Sequence, residues 1–183
     1  MLPRGGPRRL GDIVKLPLLK RETKDRIGEI WKGYHENRTN AVGRAVEAHH
    51  ASMLLERAIP APTFLFPVHR EGGHFMLLSQ FQKNHVLFTY LEDFKKNPAF
   101  ARPRLTLALH DDLAKDKGIV LLRGDIEPML SKPESDHLIT QLFDTYLVAS
   151  RYFAPTTGPL NFTQSPHTFD HDAYLRAYPR RPM

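Results

Sequence analysis

Histidine is the residue type in this sequence with the clearest capacity for chemistry, because its ring binds metals and exchanges protons near neutral pH. The chain has ten histidines, of which His167 and His171 are best spaced, since a helix would place them one turn apart. A zinc-protease helix carries glutamate directly after its first histidine, whereas Thr168 stands there. No third ligand is indicated, so we predict solvated surface histidines and no metal site. The alternative is a metal-dependent enzyme that uses these two histidines with Asp170.

Other catalytic signals are weak. The chain has no cysteine, which excludes disulfides and cysteine nucleophiles, and it lacks both a Gly-x-Ser-x-Gly elbow and a phosphate-binding loop. The paired carboxylates Glu92-Asp93 and Asp111-Asp112 are adjacent in sequence and therefore usually point apart. We predict that the protein is not an enzyme and has no catalytic residue and no cofactor.

The positive charge of the chain is confined to its two ends. The net charge is +6, but all 20 acidic residues lie between Asp12 and Asp172, and that body is neutral once six terminal arginines are set aside. Nucleic-acid binders usually carry a basic face on the fold itself, so we predict no nucleic-acid partner. No uncharged apolar run approaches the ~20 residues of a membrane span, and no membrane insertion is predicted. The alternative is an RNA or membrane-surface binder that uses its basic ends. The six arginines are Arg4, Arg8, Arg9, Arg176, Arg180 and Arg181.

The middle of the chain predicts a run of strands. Three apolar segments, 63–68, 75–81 and 85–91, are joined by short turn signals at 70–73 and 82–84. Such short links make neighbouring strands antiparallel. Two further strands are predicted at 104–110 and 119–123. The expected fold class is α+β, with a mainly antiparallel sheet of five to six strands flanked by N-terminal and C-terminal helices.

Helices are predicted on both sides of the strands. A short one at 10–14 ends at Pro17, and Thr23 caps a clearer one in which Ile27, Ile30, Trp31 and Tyr34 share a face. Further predicted elements complete the chain. They are a helix from Asn40 to Pro60 with Val42 and Val46 on its apolar stripe, a helix starting at Pro133, a short strand at 160–163 and a helix at 166–174.

One domain fits a chain of 183 residues. We predict a flexible basic leader at 1–9, a single α+β domain at 10–176 and a basic, proline-rich tail at 177–183.

Both faces of the predicted sheet are apolar. Given the predicted pairing, strand alternation places six aromatic residues mostly on one face, which is the expected core. The opposite face mixes leucines and a methionine with polar residues, as interaction surfaces do. A short chain can cover only part of this area, so we predict that another protein covers the rest, although terminal helices of the chain itself are an equal alternative. The aromatic residues are Phe64, Phe66, Phe75, Phe81, Phe88 and Tyr90, and the predicted partner-binding residues are Leu65, Met76, Leu78, Leu87 and Leu91.

Several segments resemble, in the same order, the mitochondrial ATP synthase assembly factor family that chaperones the catalytic beta subunit. The likeness covers nearly the whole chain, and several motifs in one order are far more specific than any one alone. The segments are 10–16, 27–35, 62–67, 88–95, 117–124 and 162–169.

The resemblance implies a non-enzymatic chaperone of the mitochondrial matrix. It would hold the unassembled beta subunit through an apolar surface until the alpha subunit replaces it, and it would be a monomer when free. The family's antiparallel sheet with flanking helices agrees with the pattern of the residues. The remaining alternative is a stable accessory subunit of a mitochondrial complex.

Overall fold

A single antiparallel sheet of six strands organises the protein. A computed structural model describes residues 8–178, so most of the predicted leader and tail lies outside the described residues. The strand order is β1-β6-β5-β4-β3-β2, which leaves β1 and β2 at the two edges. The α+β class is confirmed. The strands are β1 Ala41–Glu47, β2 Thr63–Arg70, β3 Gly73–Gln82, β4 His85–Tyr90, β5 Pro103–His110 and β6 Ile119–Ile126.

Helices cover the sheet from both ends of the chain. Thr23 caps α3 as predicted, its side chain accepting a hydrogen bond from the Arg26 amide. Ser131 caps α7, which starts at Lys132, one residue before the expected start. The helices are α1 Leu10–Ile13, α2 Leu16–Leu19, α3 Lys24–Glu36, α4 Ala48–Ala58, α5 Leu91–Lys96, α6 Ala114–Lys117, α7 Lys132–Leu147, α8 Ala149–Tyr152, α9 Pro159–Gln164 and α10 His171–Ala177.

The helix predicted from Asn40 to Pro60 is wrong in its first half, which forms β1. Val42 and Val46 are four residues apart, and four is an even number, so strand alternation also places them on one face. Pairing with β6 decides between the two structures, because Val42 lies opposite Gly124 and Val46 opposite Val120. Only the second half of the segment is the helix α4.

Two shorter predictions also need correction. Pro17 does not end a helix but lies in the first turn of α2, where its missing amide costs nothing. The strand predicted at 160–163 is the helix α9, which starts with Pro159 directly after Gly158. Its Phe162 contacts Phe64 edge to face, with ring centroids 5.6 Å apart, so it fills the core from a helix.

One face of the sheet, which we call the aromatic face, holds the main core. The strand registers place all six predicted aromatic residues on it. Helices α4 and α7 and the C-terminal segment pack over these rings. The ring centroids of Phe81 and Tyr146 are 5.1 Å apart, and those of Phe64 and Tyr174 are 5.2 Å apart. Phe64, Phe66 and Phe88 are fully buried. The predicted aromatic core is confirmed.

The N-terminal helices form a second, smaller core on the opposite face. Trp31 and Ile27 of α3 are completely buried there together with Leu121 of β6. The Trp31 indole donates a hydrogen bond of 2.8 Å to the backbone oxygen of Leu122. This layer covers the part of the sheet near β1 and β6.

A buried histidine joins α3 to this part of the sheet. His35 is 2% exposed, and its Nδ1 lies 2.8 Å from the Trp31 backbone oxygen while its Nε2 lies 3.0 Å from Arg123. Because the carbonyl can only accept, Nδ1 carries the proton and Nε2 accepts from the guanidinium. Gly43 of β1 makes room for the ring, since a Cβ there would lie 2.2 Å from it. The arrangement requires neutral imidazole.

Burial, with the nearby charges of Arg123, Arg38 and Lys132, lowers the pKa of His35 below its ordinary value of 6.5. The unfolded chain therefore takes up a proton at a higher pH than the folded chain does. This makes the free energy of unfolding fall as the pH drops below about 6.5. Burial also lowers the pKa values of His85 and His110, which add to the same trend.

We predict that His35→Gln lowers stability at pH 7.5 and makes the loss of stability between pH 7.5 and 5.5 smaller than in the wild type. Urea denaturation at both pH values measures this difference. His167→Gln, which changes an exposed ring, is the control and should keep the wild-type dependence. An unchanged dependence in the His35 variant would contradict the assignment.

Candidate partner-binding surface

Four of the five predicted partner-binding residues lie on the sheet face opposite the aromatic rings. We call this part of the sheet the leucine face. It comprises Leu65, Pro67, Met76, Leu78, Gln80, Leu87 and Thr89. Cross-strand pairs mix apolar and polar residues as expected, with Leu78 opposite Thr89 and Gln80 opposite Leu87. The face is therefore less apolar than a core and more apolar than an ordinary wet surface.

The chain itself covers much of this face. Leu65, Leu78 and Leu87 are 5%, 7% and 3% exposed, whereas Met76 and Leu91 are half-buried. Leu91 does not end β4 but begins α5, which packs against β3 and β4. The sequence indicated a strand residue there because its apolar run continued without a break. The structure thus brings together the predicted residues but leaves only two of them partly open to solvent.

A groove remains where α5 and the segment after it cross the leucine face. We call it the α5 groove, and its volume is about 450 Å³. Its floor is formed by the strands and its wall by Phe94 and residues 98–103. Such a volume lies within the range of pockets that bind small ligands or side chains of a partner. The lining residues are Gln80, Gln82, Leu87, Thr89, Phe94, Pro98, Ala99, Ala101 and Pro103.

Phe100 lies in the chain segment that forms the wall of the α5 groove. It follows Ala99 and precedes Ala101, both of which line the groove, and its side chain is 77% exposed. A phenylalanine this exposed loses the free energy that burial would supply, about 1.5–3 kcal/mol for such a side chain. Phe94 and Phe100 were not predicted from the sequence to be binding residues. The signal for Phe100 was an aromatic residue in a connecting segment, 97–103, that is rich in proline and alanine, where polar residues are usual.

The rim of the groove carries excess positive charge. Within residues 91–104 there are four basic and two acidic side chains. Lys95 pairs with Glu92 at 3.0 Å and Arg104 with Asp93 at 2.9 Å. Lys96 and Arg102 are exposed and make no ion pair with any residue in the described part of the chain. The surface therefore suits a partner segment that combines apolar and acidic side chains.

The histidines considered for metal binding do not gather into a cluster. His167 lies in a 3-10 turn at Pro166–Thr168, and His171 is the first residue of α10. Within residues 8–178, there is no group of three or more histidine, aspartate or glutamate side chains that could hold a metal ion. None of the helices in the same range has both the length and the apolar composition that crossing a bilayer requires.

The fold is a six-stranded antiparallel sheet packed with helices from both ends of the chain, and its leucine face is only partly covered. A model of the ATP11 protein family matches residues 3–173, so the chain belongs to that family.

Curated relatives are similar over a shorter region. The chain is 26% identical over 118 residues to ATP synthase mitochondrial F1 complex assembly factor 1 from Danio rerio, covering 64% of this chain and 39% of that protein. The human protein of that name is also 26% identical over 118 residues, with 64% and 36% covered. The Mus musculus protein is 25% identical, with the same coverage. The match thus spans little more than a third of these relatives' length.

Stability measurements should separate the residues of the core from those available to a partner. We predict that Leu87→Ala lowers the free energy of unfolding by about 2–5 kcal/mol, because it empties a buried site. Phe100→Ala should change it by less than about 0.5 kcal/mol, because the ring is exposed. Urea denaturation of both variants at pH 7.5 tests the assignment. A large loss of stability in the Phe100 variant would mean that this ring supports the fold.

Proposed function

We propose that this protein is a non-enzymatic chaperone for assembly of the F1 sector of mitochondrial ATP synthase. Membership of the ATP11 protein family and the names of the curated relatives, which are F1 complex assembly factors, support an assembly role. We further propose that its client is the unassembled beta subunit and that it acts in the mitochondrial matrix as a monomer when free. The alpha subunit would then displace it as the hexamer forms.

The exposed ring of Phe100 beside the α5 groove is the observation that carries the binding part of the proposal. Aromatic side chains at the centre of an interface are frequent hot spots, because they bury a large rigid area at little cost in entropy. Leu87 contributes to the groove, and the half-buried Met76 and Leu91 extend the same side of the sheet. Leu65 and Leu78 lie opposite each other on the leucine face and are nearly buried.

The limited apolar area also suits a transient partner. Burial of Phe100 and a few half-buried side chains would contribute on the order of 5–10 kcal/mol. Association costs on the order of 4–15 kcal/mol. The net affinity is therefore modest unless further contacts add to it, and a chaperone must release its client.

Affinity capture from mitochondria depleted of the alpha subunit tests the proposed client. We expect free beta subunit to accumulate on this protein, and the finished ATP synthase to lack it. The alternative, a stable accessory subunit, predicts the opposite distribution. Recovery of the protein in purified ATP synthase would therefore exclude the chaperone proposal.

A charged residue in place of Phe100 should weaken binding without unfolding the protein. We predict that Phe100→Asp binds purified beta subunit at least tenfold more weakly than the wild type does, because the ring is lost and the positive rim is partly neutralised. Ile59→Asp is the matched control, since Ile59 is 80% exposed on another part of the surface. Calorimetric titration measures both affinities. Equal weakening by the two variants would exclude the α5 groove as the docking site.

A further inference from the structure

The two edges of the sheet differ in how their backbone groups are used. The backbone N–H and C=O groups of the even-numbered residues of β2 bond to β3, as the bond from the Phe81 amide to the Pro62 oxygen shows. The backbone groups of the odd-numbered residues therefore point away from the sheet. Two of these outward positions are blocked. Pro67 has no amide hydrogen, and the backbone oxygen of Leu65 accepts a hydrogen bond from the Tyr174 hydroxyl. Proline and a covering segment are usual protections of an edge strand.

In the described part of the chain, the edge at β1 carries no proline and no side chain donates a hydrogen bond to its outward oxygens. Bonds from the Ile126 amide to the Asn40 oxygen and from the Ala48 amide to the Gly118 oxygen fix its register with β6. Even-numbered residues of β1 therefore face β6, and Gly43, Ala45 and Glu47 direct their backbone groups outward. The outward amides of these residues and the outward oxygens of Gly43 and Ala45 make no hydrogen bond within residues 8–178, whereas the Glu47 oxygen accepts the first bond of α4, of which Glu47 is the N-cap. All three residues are partly exposed to solvent.

A groove lies beside the last three residues of this edge strand, Ala45, Val46 and Glu47. We call it the β1 groove, and its volume is about 510 Å³. Helix α3, from the N-terminal layer, forms one wall, and α4, which packs on the aromatic face, begins the other. Gly28 lies in the wall formed by α3, where a Cβ would be in ordinary contact with the Ala45 side chain at 3.7 Å. The lining residues are Lys24, Asp25, Gly28, Glu29, Ala45, Val46, Glu47, His50 and Ile119.

We propose that the β1 edge binds an extended segment of the client as a seventh, added strand. Unpaired backbone donors and acceptors on an edge strand are completed most directly by another extended backbone. The groove favours one extended segment over a second copy of this protein. Residues of α3 and α4 flank this groove, so a second copy would have to fit its own α3 and α4 beside them, whereas an extended segment has no flanking helices. The proposal rests on the proposed chaperone function and identifies how the client's backbone is held.

Substitution of Ala45 by proline tests the added strand. The Ala45 amide points outward, so Ala45→Pro removes a donor that the described chain does not use, as Pro67 does on the opposite edge. We expect at least tenfold weaker binding of purified beta subunit, with an unchanged melting temperature. Ala45→Ser, which keeps the amide, is the control and should bind like the wild type. Equal binding by both variants would overturn the proposal.

Amide hydrogen exchange of the wild-type protein provides a second test that needs no variant. We expect the amides of Gly43, Ala45 and Glu47 to exchange fast in the free protein and to become protected when purified beta subunit is added. Binding without this protection would overturn the added strand but leave the chaperone function intact. Failure of the beta subunit to bind at all would remove both proposals. Protection that grows with the concentration of the free protein would show that a second copy takes the edge, and would also overturn the proposal.

Discussion

The fold depends on one constraint, which is that a sheet with two apolar faces must be covered twice. Helices α4 and α7 and the C-terminal segment seal the aromatic face, and the N-terminal helices seal the other face near β1 and β6. On the leucine face, the six-residue helix α5 packs against β3 and β4. This partial cover leaves the α5 groove, and the chain between α5 and β5 exposes Phe100.

Much of this architecture could be predicted from the sequence because strand alternation and turn signals agree between residues 63 and 123. The six aromatic residues share one face because those in each strand are an even number of positions apart and the strand registers align the three strands. The strand β1 could not be recognised locally, since Val42 and Val46 fit both periods and only pairing with β6 distinguishes them. Likewise, α9 resembles a strand until its neighbours are known, because Phe162 reaches the core in either conformation.

The candidate site was predicted only in part, for a physical reason. Strand parity shows which residues share a face but not whether a helix lies above them. Leu65, Leu78 and Leu87 are therefore on the expected side and yet nearly buried. The features most open to a partner depend on tertiary placement: an exposed ring in a loop and an unpaired backbone edge. Together they describe a surface that offers an apolar contact at Phe100 and a strand template at β1.

Photo-crosslinking from position 100 tests the central claim most directly. A photoreactive phenylalanine analogue placed there samples the immediate surroundings of the exposed ring in mitochondria. The account predicts an adduct with the beta subunit that accumulates when the alpha subunit is depleted and disappears when it is restored. It would be contradicted if position 100 gave no beta-subunit adduct while the same analogue at position 59 did, or if the adduct persisted in the finished ATP synthase.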